Sequence, residues 1–322
     1  MIIVTGAVGF IGSALIAHLN AQGIRDIIAV DDFSRADKNK NLDDKTVARR
    51  ISRQTLPEWL DQEQPEVRFV FHLGARTDTA EFDEALLRRL NVDYSKMLWQ
   101  YCSKNQIPLV YASSAATYGG GEQGYDDNEE EISKLTPLNP YGRSKQEFDR
   151  WVLAQKETPP RWIGLKFFNV FGPNEYHKGR MASVVLHAFR QISETGHMKL
   201  FRSHHPDFKD GEQKRDFIYV KDVVRICDFF RTASAVRSGI YNVGTGRART
   251  FLDLARAVFA ALEKPESISF IDTPEDIRDK YQYFTEANTQ KLRAAGYTRP
   301  FTSLEAGINE YVRDYLQPQN YW

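Results

Sequence analysis

The opening twelve residues, M-I-I-V-T-G-A-V-G-F-I-G, constrain what this chain can fold into more than any other stretch. A β-branched run ends at Thr5, and Gly6, Gly9 and Gly12 follow at regular spacing, ahead of the helix-like pattern Ser13–Gln22. Glycine permits a tight turn and lets backbone N–H groups come close to an anion at the positive end of a helix. Strand, glycine turn and helix in that order predict the first crossover unit of a dinucleotide-binding sheet. Asp31 lies 19 positions beyond Gly12, at the end of the next predicted strand. A carboxylate there can accept a hydrogen bond from an adenine ribose hydroxyl.

The pattern repeats. Strand-like runs at Ile2–Thr5, Ile27–Asp31, Phe69–Leu73, Leu109–Ser113 and Ile163–Phe168 alternate with amphipathic ones such as Ser13–Gln22 and Glu84–Lys104. Such alternation predicts an α/β fold with a doubly wound parallel (Rossmann) sheet. After about Asn169 the regularity decays into charged, aromatic-rich loops and helical patterns at Phe251–Leu262 and Ser303–Leu316. The expected organisation is a dinucleotide-binding domain at 1–168 and a smaller mixed α/β substrate lobe at 169–322, with about 216–246 returning to the first. The acidic run D-D-N-E-E-E (126–131) reads as a solvated loop.

Composition removes other classes. Lys+Arg and Asp+Glu number 43 each, so no global field draws nucleic acid or an anionic membrane. Cys102 and Cys227 are far apart in helix-like patterns, which fits free thiols better than a disulfide, and no metal site is expected. No apolar run reaches membrane-spanning length and no basic leader precedes the first strand. A soluble, cytoplasmic protein is expected.

The reactive groups come next. In Y-G-R-S-K, Tyr141 and Lys145 share a helix face, four residues apart. An ammonium near a phenol favours the phenolate, and a phenol tuned that way can exchange protons with a substrate hydroxyl while hydride moves to or from a nicotinamide. Upstream, L-V-Y-A-S-S ends a strand with Ser113 and Ser114, at the sheet end where parallel-sheet enzymes bind ligands. Cofactor choice is divided. Asp31 and Asp32 favour NAD, whereas Arg35, Lys38, Lys40, Lys45, Arg49, Arg50 and Arg53 offer cations to a 2′-phosphate, unless they form only a solvated crossover.

With the glycine turn, these motifs resemble the extended short-chain dehydrogenase/reductase superfamily in its nucleotide-sugar epimerase and dehydratase branch. Dehydratases of that branch carry Thr-Asp-Glu where this chain has Ser114-Ala115-Ala116, so dehydration is not expected. Y-A-S-S-A-A-T-Y-G-G (111–120), P-L-N-P-Y-G-R-S-K (137–145), F-F-N-V-F-G-P-N-E-Y-H-K-G-R-M-A-S (167–183), K-R-D-F-I-Y-V (214–220), Y-N-V-G-T-G-R-A (241–248) and L-R-A-A-G-Y (292–297) narrow the resemblance to the ADP-L-glycero-D-manno-heptose 6-epimerase family. H-K-G-x-M-A-S is its most specific part.

The resemblance implies an isomerase of lipopolysaccharide-core biosynthesis that oxidises C6 of ADP-heptose to a transient ketone with bound NADP and returns hydride to the opposite face. NAD remains an alternative because of Asp31-Asp32, since Asp32 replaces a frequent asparagine. Tyr141 and Lys178 would be the two proton carriers, with Ser114 and Lys145 assisting; the other reading of Lys178 is an anion clamp with His177 and Arg180. Carried over by position, the cofactor would meet Gly6, Gly9, Phe10, Ile11, Gly12, Asp31, Asp32, Lys38, Arg53, Leu73, Gly74, Ala75, Arg76, Thr77, Asn91, Lys145, Val170 and Lys178. The substrate would meet Ser114, Asn169, Arg180, His187, Phe201, Arg202, Ser203, His204, Arg215 and Tyr281. A homo-oligomer is implied, with a pentamer as the candidate form. The rivals are another nucleotide-sugar epimerase or reductase, such as a UDP-sugar 4-epimerase, and a catalytically silent dinucleotide-sensing or RNA-binding relative.

Overall fold

Thirteen strands organise the described part of the chain, in a computed structural model that describes residues 1–274, 278 and 281–322. They are β1 (Ile2–Thr5), β2 (Ile27–Asp31), β3 (Arg49–Ser52), β4 (Phe69–His72), β5 (Leu109–Ser114), β6 (Trp162–Phe167), β7 (Asn169–Phe171), β8 (Met198–Phe201), β9 (Lys214–Arg215), β10 (Phe217–Tyr219), β11 (Gly239–Val243), β12 (Arg249–Thr250) and β13 (Ile268–Ile271). Seven form one sheet in the order β11-β6-β5-β4-β1-β2-β3, every neighbour parallel. Strand order reverses between β1 and β4, which opens a crevice at their carboxyl ends.

Residues of β1 alternate between two cores. Ile2 and Val4 pack with Leu15, Ile16 and Leu19 of helix Phe10–Ala21, while Ile3 joins Ile28, Val70, Leu98 and Trp99 on the other face. Both faces are covered, which is why the central strands read as continuous apolar runs rather than as alternating ones. The basic stretch after Asp32 contains an edge strand that its composition hides: Arg49 and Arg50 of β3 are exposed and only Ile51 is buried.

The chain leaves the sheet after β6 and comes back for β11, which pairs with β6. On the way, helix Val220–Thr232 packs against helix Phe10–Ala21. The acidic run is a clasp for β11 and not a solvated loop. Asp127 is buried and its Oδ2 accepts from the Asn242 N–H at 2.7 Å; Glu129 Oε1 accepts from the Ile240 N–H at 2.9 Å and from Lys291 Nζ at 2.7 Å. Burial pushes the Asp127 carboxyl up to about 6. The remaining strands form small pairs, β7 with β10, β8 with β13 and β9 with β12, the last two packed with helices Val184–Thr195 and Phe251–Ala261 beside the crevice.

Candidate active site

The crevice is a cleft of about 800 Å³ lined from Asp31 and Arg53 at one end to Ser114, Tyr141 and Lys178. Its floor is the glycine turn. Gly6 has φ +69°, and a Cβ there would lie 2.7 Å from the Gly74 nitrogen. A Cβ on Gly12 would lie 2.0 Å from the Gly6 carbonyl oxygen. Helix Phe10–Ala21 starts at Gly9 without a side-chain cap, so its first N–H groups point out toward whatever occupies the crevice. A pyrophosphate fits this cradle.

The end of the cleft at Asp31 and Asp32 is already knit together. Asp31 Oδ2 accepts from the Val8 N–H at 3.1 Å, and its Oδ1 accepts from the Asp32 N–H and from Lys38 Nζ, both at 2.7 Å. Arg53 Nη2 donates to Asp32 Oδ2 at 3.1 Å. Arg35, Lys38 and Arg53 therefore line the cleft beside the two carboxylates.

The reactive wall depends on two caps. Asn139 caps helix Pro140–Leu153 by accepting from the Gly142 N–H at 2.8 Å, with Pro140 at its first position. Ser114 ends β5 and caps the following turn, accepting from the Ala116 N–H at 3.1 Å. Gly142 lets the two meet, because a Cβ there would come within 2.7 Å of the Ala116 carbonyl. Tyr141 and Ser114 thereby line the same cleft as Lys145, whose Nζ donates to the Ala112 carbonyl at 2.8 Å. Burial lowers Lys145 to about 8, despite the opposing pull of Asp149. Burial also raises the Tyr141 phenol, with the Ser114 hydroxyl working the other way. Enclosure sets the direction, and the Asp149 carboxylate adds to it.

Behind β5 lies a fully buried ion pair. Lys166 Nζ donates to Asp149 Oδ2 at 2.8 Å and to Thr117 Oγ1 at 2.6 Å. Asp149 also accepts from the hydroxyls of Ser113 at 2.7 Å and Tyr111 at 3.1 Å. Helix Pro140–Leu153 is thus locked to β5 and β6 just below Ser114 and Tyr141.

Lys178 lies in a short helical stretch, Tyr176–Met181, that follows β7. Gly179 turns the chain immediately after it with φ +55°, a conformation a larger residue resists. Lys178 lines the cleft, its Nζ 5.1 Å from the centroid of the Phe10 ring, and burial lowers its pKa. His177 is held by burial near 4, and so is neutral at physiological pH; a neutral imidazole makes a poor anion clamp. Arg180 is exposed and faces the cleft-lining Asp78 at 3.4 Å, while His187 contacts the Arg180 carbonyl.

Asn91 does not line the cleft. It is buried in a π-turn at Arg88–Asp93, where it bonds both main-chain groups of Arg76 and donates to Ser144 Oγ at 2.9 Å. It therefore shapes the Leu73–Thr77 wall from behind. A second cluster gathers around Arg215, which is buried and bonded only to main-chain carbonyls of Lys214 and Gln282 among the described residues. Its guanidinium stands 5.4 Å from the Tyr281 ring and 5.6 Å from that of Phe251, and Phe201 meets Tyr281 edge-on. Arg202 faces Asp272 at 4.0 Å, the Ser203 N–H bonds Asp210, and the His204 N–H bonds the Tyr283 hydroxyl. Two members of this region escaped sequence reading. Gln282 donates to the Gly119 carbonyl and Tyr125 to the Phe284 carbonyl, so segment 281–285 ties the lobe to the glycine-rich turn after Tyr118. The glycine run at 119–121 was the available signal.

The parallel sheet, the glycine turn and the cleft at the point where strand order reverses define a dinucleotide-binding α/β class. A model described as the NAD dependent epimerase/dehydratase family matches residues 2–244, and the chain belongs to that family. An ADP-L-glycero-D-manno-heptose-6-epimerase of Fusobacterium nucleatum is 49% identical, covering 99% of each chain. One of Nitratidesulfovibrio vulgaris is also 49% identical, over 98% of each. Among solved structures, the Helicobacter pylori ADP-L-glycero-D-manno-heptose-6-epimerase superposes with a TM-score of 0.80 at 27% identity, covering 97% of this chain and 95% of that one. Thermus thermophilus UDP-glucose 4-epimerase, solved with NAD, gives 0.75 at 25% over 97% of both. With relatives of that name at this identity, the chain is an enzyme, an isomerase. Among the described residues no helix is long and apolar enough to cross a membrane.

Proposed function

We propose that the enzyme interconverts ADP-D-glycero-D-manno-heptose and ADP-L-glycero-D-manno-heptose by inverting C6, using NADP. One observation carries the reading: two protonatable side chains from different elements, Tyr141 and Lys178, line one cleft beside the glycine turn, with Ser114 and Lys145 next to the tyrosine. Inversion needs this. A base suited to one epimer faces away from the reacting oxygen of the other, so a second proton carrier is required.

The bound dinucleotide would supply a hydride acceptor at C6 and hand the hydride back to the other face of the resulting ketone. Gly6, Gly9 and Gly12 would cradle its pyrophosphate, and Asp31 would take a ribose hydroxyl. Arg35, Lys38 and Arg53 would hold the 2′-phosphate, each turning to it from its present carboxylate partner, Asp37, Asp31 and Asp32 in that order. Lys145 would hold its ammonium against the Ala112 carbonyl and add positive charge near the phenol. Ser114 would donate to the reacting oxygen. Tyr141 and Lys178 would then exchange its proton, one removing it and the other returning it. Tyr141 is buried and Lys178 half-buried, which would limit the water that reaches the ketone while it turns. Arg215, walled by Tyr281 and Phe251, would grip the sugar-nucleotide pyrophosphate.

The test is incubation of purified protein with ADP-D-glycero-D-manno-heptose and chromatographic resolution of the C6 epimers. Interconversion is expected; turnover of a UDP- or GDP-sugar in its place overturns the assignment. Mass spectrometry of nucleotide released from denatured protein is expected to return NADP, and NAD alone would overturn that part.

A further inference from the structure

The segment that carries Lys178 is held from outside the cleft by residues 315–322. Asn174, fully buried with φ +77°, donates from Nδ2 to the Trp322 main-chain oxygen at 2.9 Å and accepts at Oδ1 from the Trp322 N–H at 2.8 Å. The Tyr176 hydroxyl donates to the carbonyls of Tyr315 at 2.8 Å and Asn320 at 3.1 Å. Its ring meets that of Tyr321 edge-on at 5.2 Å. Lys221 pins the other side of this segment, with Nζ 2.8 Å from the Tyr315 hydroxyl and 4.7 Å from the Trp322 ring centroid. Asn174 Nδ2 also donates to Ser13 Oγ at 3.1 Å, but the other side-chain bonds of these two residues just ahead of Lys178 go to a stretch of chain that does not line the cleft.

From this geometry we infer that Asn174 and Tyr176 are positioning residues: through residues 315–322 they fix the place and the burial of the Lys178 ammonium. The alternative is that these contacts only close off the fold. Glu175 bonds the N–H and hydroxyl of Ser183, both at 2.6 Å, so the far end of the Lys178 stretch is anchored independently. On the near side Asn41 Nδ2 also meets the Asn174 carbonyl at 3.0 Å and His177 Nδ1 at 3.2 Å, so losing the Asn174 and Tyr176 side-chain bonds would weaken that end of the stretch without freeing it. Its ammonium would gain water, and the pKa that burial lowers would rise toward the ordinary lysine value. The inference rests on the catalytic role proposed for Lys178, but its first readout does not depend on any substrate.

The test uses the cofactor-loaded protein and the double variant Asn174→Gly/Tyr176→Phe, in which glycine keeps the left-handed backbone and phenylalanine keeps the ring. Competitive acetylation with mass-spectrometric readout titrates Lys178 itself. The expected result is a Lys178 pKa raised by about one unit, with bound cofactor unchanged. With ADP-heptose, kcat should fall about tenfold with KM within about twofold, and whichever limb of the kcat–pH profile Lys178 governs should move to higher pH. A folded variant with unchanged Lys178 titration overturns the inference. So does a variant in which KM, cofactor content and thermal midpoint all worsen together, because that is general loosening. If wild-type enzyme ignores ADP-heptose while the Lys178 titration still shifts, the substrate assignment fails and the positioning role stands.

Discussion

Lys178 and Phe10 are stacked: the ammonium lies 5.1 Å from the ring centroid of the residue that opens the dinucleotide helix. The ring face favours the charged amine, while burial favours the neutral one. Phe10→Leu should therefore lower the Lys178 pKa further, by about half a unit if the contact contributes about 0.7 kcal/mol. Residue-specific acetylation across pH measures it; an unchanged or raised value would mean the ring gives the ammonium nothing.

Tyr141→Phe and Lys178→Met should each reduce epimerisation by at least about a thousandfold, with nucleotide still bound. Steady-state kinetics and released-nucleotide analysis check both. If Lys178→Met kept a near-normal kcat and raised only KM, an anion-holding role would be the better account.

Gly12→Ala should abolish nucleotide binding, since a Cβ 2.0 Å from the Gly6 oxygen cannot be accommodated without opening the turn. Fluorescence titration with NADPH reads the loss, and a variant that bound normally would require the turn to shift freely.

Lys145 links stability to pH. Its folded value of about 8 lies below the ordinary 10.5, so between the two the unfolded chain holds a proton that the folded one has released. Stability supplied by this group therefore rises with pH across that window, by roughly 3 kcal/mol at most. Urea unfolding at pH 8 and pH 10 should show a gain in the wild type that Lys145→Met lacks.

Asp149 and Lys166 are both wholly buried, so losing one partner strands the other. Lys166→Met should cost about 3–5 kcal/mol in urea denaturation, and the double variant Asp149→Leu/Lys166→Met should recover much of it. Equal losses for both variants would show that the hydroxyls of Ser113, Tyr111 and Thr117, and not the pair, hold this region.

Sequence reading found what local chemistry marks. The runs around Ile2–Thr5, Ile27–Asp31 and Leu109–Ser113 sit where they were expected because strands buried on both faces leave no polar alternation. Tyr141, Lys145, Ser114 and Lys178 line one cleft. Contacts set by tertiary packing were not visible. Arg49–Ser52 is an edge strand with one buried residue, too little apolar signal to separate it from a basic crossover. Asp127 and Glu129 looked like solvated charge because their partners, Asn242, Ile240 and Lys291, lie more than a hundred residues away. Asn91 was expected at the cofactor and stands one layer back, since a π-turn directs it onto Arg76 and Ser144.

The return of Gly239–Val243 to the main sheet bears on engineering. A chimera that swaps everything after residue 168 with a sister enzyme would remove an edge strand from the donor-independent half, together with the carboxylate clasp that fastens it. Specificity grafts should instead exchange two inserts, on either side of that strand, leaving the seven-stranded scaffold of one parent intact.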